Sequence, residues 1–170
     1  MQRTLFEEKM DDITALAQRV GAALQAKGMM LATAESCTGG GVGQAITDVP
    51  GSSAWFDCGF ITYSNTAKAR LLGVAPELIE RHGAVSEEVA DAMAKGALAN
   101  SNAQIAVATT GIAGPGGAVP GKPVGTVYFG WARNGHSNVE RMVFAGDRQA
   151  VRQQSVAHGL KGLLRFLEQI

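Results

Sequence analysis

The sequence predicts an α/β protein, a three-layer α/β/α sandwich on a mixed, mostly parallel sheet that ends in an antiparallel hairpin. Three observations predict it. Amphipathic helical stripes open and close the chain, two short apolar runs each lead into a glycine-rich turn, and Asn134-Gly135 separates two strand-like runs near the end. Strands alternating with helices mark a largely parallel sheet covered on both faces.

Leu5, Ile13, Leu16, Ala17, Val20, Ala23 and Leu24 recur at helical spacing up to Gly28, predicting a first helix over about 5–27. Met29 to Ala34 reads as a strand, and the segment 42–49 beyond the next glycines suits a helix. Pro50-Gly51-Ser52-Ser53 breaks the chain before an aromatic and β-branched strand run from Trp55 to Tyr63. Ser64-Asn65 caps a short helix over 66–72 that stops at Gly73. Ser86, Glu87 and Glu88 open a helix to about Asn100, with the acids at its positive end. Residues 104–110 are a buried type of strand. Runs over 124–133 and 138–145 flank Asn134-Gly135 and should pair antiparallel. Asp147 caps a last helix to about 168, with Val151, Ser155, Val156, Leu160, Leu163, Leu164 and Leu167 on its buried side.

The length of 170 residues predicts a single domain over 1–170, and 46% apolar with 18% charged residues is a balance that can bury a core. Fifteen basic and fifteen acidic residues cancel, so no net field draws the chain to nucleic acid or an anionic membrane, and an anionic ligand must be held by local groups. Two cysteines, Cys37 and Cys58, are too few for a disulfide framework. The start lacks the pattern of a signal peptide, and no apolar run approaches the roughly 18 to 20 residues of a spanning helix. A cytoplasmic protein outside the membrane is expected.

Three glycine-rich or polar turns are candidates for chemistry. In Glu35-Ser36-Cys37-Thr38-Gly39-Gly40, hydroxyl and thiol groups stand between a strand and a helix start, where a nucleophile is exposed and backbone amides can hold an oxyanion or phosphate. The alternative is a turn whose hydroxyls only cap the helix. Cys37 is a rival nucleophile at the same helix start. In Thr62-Tyr63-Ser64-Asn65-Thr66-Ala67-Lys68, the lysine falls in the first turn of a helix, where the dipole disfavours its charge and helps lower its pKa toward that of a general base. A serine with an unprotonated lysine is an established alternative to the Ser-His-Asp arrangement, although a lone lysine at such a position more often faces solvent. In Thr110-Gly111-Ile112-Ala113-Gly114-Pro115-Gly116-Gly117, glycines at a strand end offer an anion or ribose cradle. The alternative there is a long disordered loop. Neither a Walker lysine nor Rossmann glycine spacing is present.

Arg148, following Gly146-Asp147, suits a bidentate clamp on phosphate or carboxylate, unless it pairs with a nearby acid. His82, His136 and His158 lie far apart without ligand spacing, so no metal is expected. Cys58, inside a strand run, reads as a small apolar residue.

With these motifs the chain resembles the CinA C-terminal-domain family, which includes stand-alone nicotinamide mononucleotide amidohydrolases. The resemblance covers nearly the whole chain and rests on residues 33–40, Gly51 to Phe56, Thr62 to Asn65 with Lys68, His82 to Ser86, Thr110 to Pro115, Lys122 to Val127 and Gly146 to Arg148. It implies hydrolysis of the carboxamide of nicotinamide mononucleotide to nicotinic acid mononucleotide and ammonia, with no cofactor. It makes Ser36 the nucleophile and Lys68 its base, with Tyr63 and Thr110 as supporting groups. The backbone of Cys37, Thr38, Gly39 and Gly40 would supply oxyanion or phosphate donors. Thr110, Gly111, Gly114 and Arg148 complete the expected substrate-binding set. Full-length competence-damage-inducible proteins carry a further N-terminal domain of molybdopterin-binding type, for which this chain has no room, so the stand-alone amidase is expected. A nucleotide substrate, no nucleic acid or membrane partner and a homodimer are the expected associations. The rival functions are a nucleotide-binding or competence-associated module without chemistry, and a hydrolase using Cys37.

Overall fold

Capping side chains and glycines set the element boundaries of the structure, a computed structural model that describes the backbone of residues 5–170 and side chains from residue 12 onward. In chain order the elements are α1 (Leu5–Lys27), β1 (Leu31–Glu35), α2 (Gly41–Thr47), β2 (Phe56–Ile61), α3 (Asn65–Leu72), α4 (Pro76–His82), α5 (Glu87–Ala99), β3 (Ile105–Gly111), β4 (Thr126–Arg133), β5 (His136–Val143) and α6 (Arg148–Leu167). Ser64, Ser86 and Asp147 are the caps the sequence predicts: their side chains accept from the amides of Ala67, Val89 and Ala150. Two elements were not foreseen, the 3-10 turn Ser52–Ala54 and α4. The signal for α4 is Pro76 at its first position and Gly83 just past its end. Leu5 of the predicted α1 stripe lies outside the residues whose side chains are described.

The five strands lie in the order β2-β1-β3-β4-β5. β1 runs parallel to both β2 and β3, and β4 is antiparallel to both β3 and β5. Four strands therefore point one way and β4 alone is reversed. The antiparallel hairpin is β4–β5, turning at Asn134-Gly135 as predicted, with Arg133 opposite His136.

Side-chain alternation divides the interior in two. Leu31, Ile105, Val107, Val127, Phe129 and Trp131 face α1, α2 and α6 and meet Val20, Leu24, Ile46, Leu160, Leu163 and Phe166 in one core. Each such side chain, fully buried, contributes roughly 1.5–3 kcal/mol. The opposite face is almost all alanine, with Ala32, Ala34, Ala106, Ala108 and Ala132 against Leu72, Ile79, Val89 and Met93 of α3, α4 and α5. Small residues let α5 approach the sheet closely. A Cβ on Gly130 would lie 2.5 Å from the Ala90 carbonyl oxygen, and one on Gly96 would collide with the Leu72 carbonyl at the end of α3. The larger core uses the reverse device, in which Gly162 of α6 makes room for the Trp131 ring, whose Nε1 donates to the Gly159 carbonyl at 3.1 Å. Among the described residues no helix is long and apolar enough to cross a membrane.

Candidate active site

The ladder of β1 continues one residue beyond its end, because the Ser36 amide donates to the Thr109 carbonyl at 3.0 Å and the Thr62 amide to the Glu35 carbonyl at 2.8 Å. Alternation then turns Glu35 and Ser36 to opposite faces. Ser36 follows Ala32 and Ala34 toward α3, and Glu35 turns toward α2. Both sit at the C-terminal ends of parallel strands, where open α/β sheets place their ligands.

Lys68 comes to Ser36 from the first turn of α3, whose start is fixed by the Ser64 cap. Its side chain is 1% exposed, so it is not the solvent-facing lysine of the bland alternative. Nζ donates to the carbonyls of Thr62 at 2.8 Å and Tyr63 at 3.2 Å and stands 3.1 Å from Ser36 Oγ. Burial holds the amine below its ordinary value. Desolvation, rather than the helix dipole invoked from the sequence, is the leading cause. A neutral amine has two N–H groups and one lone pair. The two carbonyls match the N–H groups, and the Ser36 hydroxyl matches the lone pair.

The turn after Ser36 is gripped from both sides. Glu35, 2% exposed, accepts from the Thr38 hydroxyl at 2.6 Å and the Val42 amide at 2.8 Å on Oε1, and from the Gly43 amide at 3.0 Å on Oε2. A carboxylate only accepts, so the Thr38 hydroxyl gives its proton to Glu35 and receives that of Thr109, 2.8 Å away. From α6, Arg152 donates through Nε to the Cys37 carbonyl at 3.1 Å and through Nη2 to the Thr38 carbonyl at 3.3 Å. Gly39 and Gly40 take positive φ values of 59° and 97° that side-chain-bearing residues rarely adopt. The Gly39 amide closes the turn onto the Ser36 carbonyl at 3.0 Å, whereas those of Thr38 and Gly40 meet no backbone acceptor among the described residues. Cys37 itself is buried in the larger core, and burial pushes its thiol up to about 12. It is not the poised thiolate of the rival reading.

Tyr63 is 63% exposed; its carbonyl meets Lys68, while its phenol oxygen accepts from Arg148 Nη2 at 3.1 Å. Arg148 Nη1 donates to the Gly114 carbonyl at 2.8 Å, so its contacts are a phenol and a carbonyl instead of an acid. Thr110 is buried on the α3 face, where its hydroxyl donates to the Ala84 carbonyl at 2.8 Å and ties down the segment ahead of α5. Gly111 is confined by Val127, the Thr126 carbonyl and Cys37 Sγ, which an added Cβ would meet at 2.7, 2.9 and 3.1 Å. The glycine-rich loop is structured: the Ile112 amide donates to the Thr126 carbonyl and the Gly125 amide to the Ile112 carbonyl, Val119 pairs with Lys122, and Lys122 Nζ donates to the His82 carbonyl at 3.1 Å.

The histidines lie away from this cluster: His82 faces Glu88 at 3.4 Å, His136 stacks on Phe166, and His158 lies among Phe129, Phe144 and Glu140. Cys58 is half-buried against the alanine-lined core. Among the described residues no three His, Cys, Asp or Glu side chains are grouped to hold a metal. Sequence reading missed three members of the cluster, Glu35, Thr109 and Arg152. The available signals were an acid between a strand and a helix start, and an arginine four residues after Arg148 on the same helix face.

Fold and cluster together define an α/β protein with a buried serine–lysine pair at the carboxyl ends of parallel strands, an arrangement suited to nucleophilic chemistry on an acyl group. The model of the CinA C-terminal domain matches residues 13–167, and the chain belongs to that family. A Pseudomonas putida relative named nicotinamide-nucleotide amidohydrolase PncC is 54% identical over 92% of this chain and 98% of its own length. A relative of the same name from Escherichia coli K12 is 52% identical over 89% and 93%. Among solved structures, a competence/damage inducible protein from Agrobacterium tumefaciens superposes with a TM-score of 0.89 at 45% identity, covering 92% of this chain and 96% of that one.

Proposed function

We propose that the protein hydrolyses the carboxamide of nicotinamide mononucleotide to nicotinic acid mononucleotide and ammonia through an acyl-enzyme on Ser36. The observation that carries the reading is the buried Lys68 amine 3.1 Å from Ser36 Oγ, with two backbone carbonyls on its N–H groups. The names of the relatives support the substrate.

Neutral Lys68 takes the Ser36 proton as Oγ bonds to the amide carbon. The oxygen of that carbonyl becomes an oxyanion, for which the amides of Cys37 and Thr38 are the donors at hand. Lys68, now an ammonium, returns its proton to the departing nitrogen, the C–N bond breaks and ammonia leaves. Water, deprotonated by the same amine, attacks the ester; the C–Oγ bond breaks, and Ser36 regains its proton as nicotinic acid mononucleotide departs. In this reading Arg148 meets the 5′-phosphate, which distinguishes the nucleotide from free nicotinamide.

The test is ammonia release from nicotinamide mononucleotide by wild type, Ser36→Ala and Lys68→Met, each checked for folding. Turnover by wild type alone is expected, since losing the nucleophile or base removes a step worth at least ~10²-fold. A wild type that releases no ammonia, or a fully active Ser36→Ala, refutes the reading.

A further inference from the structure

We infer that Glu35 is a positioning residue for the Ser36 turn, acting from the opposite face of the sheet. This deepens the proposed Ser36 chemistry and rests on that site. Glu35 and Ser36 are neighbours in sequence, yet alternation separates their side chains, so the carboxylate does not touch the hydroxyl and acts on it through the turn that follows.

The contacts run in two directions. Toward α2, both carboxylate oxygens take amides of the helix start, those of Val42 and Gly43. Toward the sheet, the donor chain Thr109 to Thr38 to Glu35 ends on Oε1, and Thr109 is the strand neighbour of Glu35 in the β1–β3 register. Thr38 lies two residues past Ser36. Its hydroxyl on Glu35 and its carbonyl on Arg152 leave its peptide units little freedom to rotate. The Cys37 carbonyl also points to Arg152. In a planar trans peptide the following amide points the opposite way, so the Thr38 N–H is turned away from Arg152.

An ordinary helix cap would need one acceptor. Here a buried carboxylate takes two amides and a hydroxyl at the start of α2. Glu35 thereby fixes the turn.

The experiment compares wild type, Glu35→Gln, Thr38→Val and Thr38→Ser by kcat and KM for nicotinamide mononucleotide. It also measures the rate of Ser36 labelling by a fluorophosphonate and hydrogen exchange over residues 37–43. Glutamine keeps the shape but turns an NH2 donor toward an amide on one side. A misplacement of order 1 Å can lower rates ~10²-fold. The expected result is a ~10–100-fold fall in kcat and in labelling for Glu35→Gln with KM changed less than ~3-fold, and faster exchange confined to 37–43. Thr38→Ser should recover most of the loss seen in Thr38→Val. Equal turnover and labelling per folded molecule, or exchange that quickens uniformly across the protein, overturns the assignment. Should wild type release no ammonia while labelling still depends on Glu35, the substrate reading falls and the positioning role stands. Should wild type neither turn over nor label, the exchange pattern decides, with unchanged exchange over 37–43 overturning the role.

Discussion

Adding one methyl group at Gly162 and one at Gly159, a helical turn apart on α6, should shift stability in opposite directions. A Cβ on Gly162 would sit 2.7 Å from Trp131 Cη2 and closer still to Cζ2 and Cε2. Trp131 cannot simply withdraw, because it is 3% exposed, stacked on Phe129 at 5.8 Å and bonded through Nε1 to the Gly159 carbonyl. Overpacking of this kind costs about 1–3 kcal/mol, and losing the indole bond adds about 1. Replacing glycine in a helix gains only about 0.8–1 kcal/mol, so the clash wins and Gly162→Ala should be destabilising by about 1–3 kcal/mol. At Gly159 the nearest atoms to a new Cβ are 3.7 to 3.9 Å away, ordinary contact. There the propensity term wins and Gly159→Ala should be stabilising by about 0.5–1 kcal/mol. For a domain of this size each kcal/mol moves Tm by about 2–4 °C. Urea denaturation of both variants, with m-values to confirm equivalent unfolding, measures the difference. Shifts of the same sign would refute the packing argument. Because α6 carries Arg148 and Arg152 into the site, the Gly162 variant should also lose turnover.

The remaining expectations concern titration and the turn. Lys68 is held below its ordinary 10.5 by burial, so between its lowered value and 10.5 the unfolded chain binds more protons than the folded one. Stability from this group therefore rises with pH across that window and falls as pH drops through it; in urea unfolding from pH 7 to 10.5, the stability of wild type relative to Lys68→Met should rise with pH. By the same titration, kcat/KM should climb with pH to a plateau as Lys68 loses its proton, and a rate that falls over this limb would contradict a lysine base. Cys37, 5% exposed with its thiol near 12, should resist iodoacetamide at pH 8 in the native protein and react only on unfolding; mass spectrometry of native and urea-treated protein reports this. Arg152→Gln should slow turnover by about 10-fold or more through loss of its hold on the Cys37 and Thr38 carbonyls, and unchanged kcat would remove it from the site.

Much of the fold was legible because its signals are local. Ser64, Ser86 and Asp147 announce helix starts through their own hydrogen bonds, and Asn134-Gly135 announces a hairpin through backbone conformation. The place of β4 between β3 and β5 was not legible, since pairing depends on partners distant in sequence. The same division holds at the site. Ser36 and Lys68 each stand beside a recognisable turn, but the burial that lowers the lysine comes from α3 packing against the sheet and α5. Glu35 and Thr109, 74 positions apart by their numbers, meet only through the parallel register of β1 and β3. The motif showed that Arg148 was available, but only the path of α6 shows that Arg152 reaches the nucleophile turn.

The amine of Lys68 is held by main-chain oxygens of residues 62 and 63, atoms that every amino acid possesses. Substitution at Tyr63 therefore leaves both acceptors of Lys68 in place and removes only the phenol oxygen that accepts from Arg148, whereas a one-residue insertion between β2 and α3 would remove both carbonyls from reach. The acceptors of the lysine are thus protected from point mutation and exposed to changes in loop length. Variation among descendants of this fold can retune what enters at residue 63 while inheriting the nucleophile–base pair intact, and a laboratory search for new amide substrates would do best to vary that side chain and leave the spacing alone.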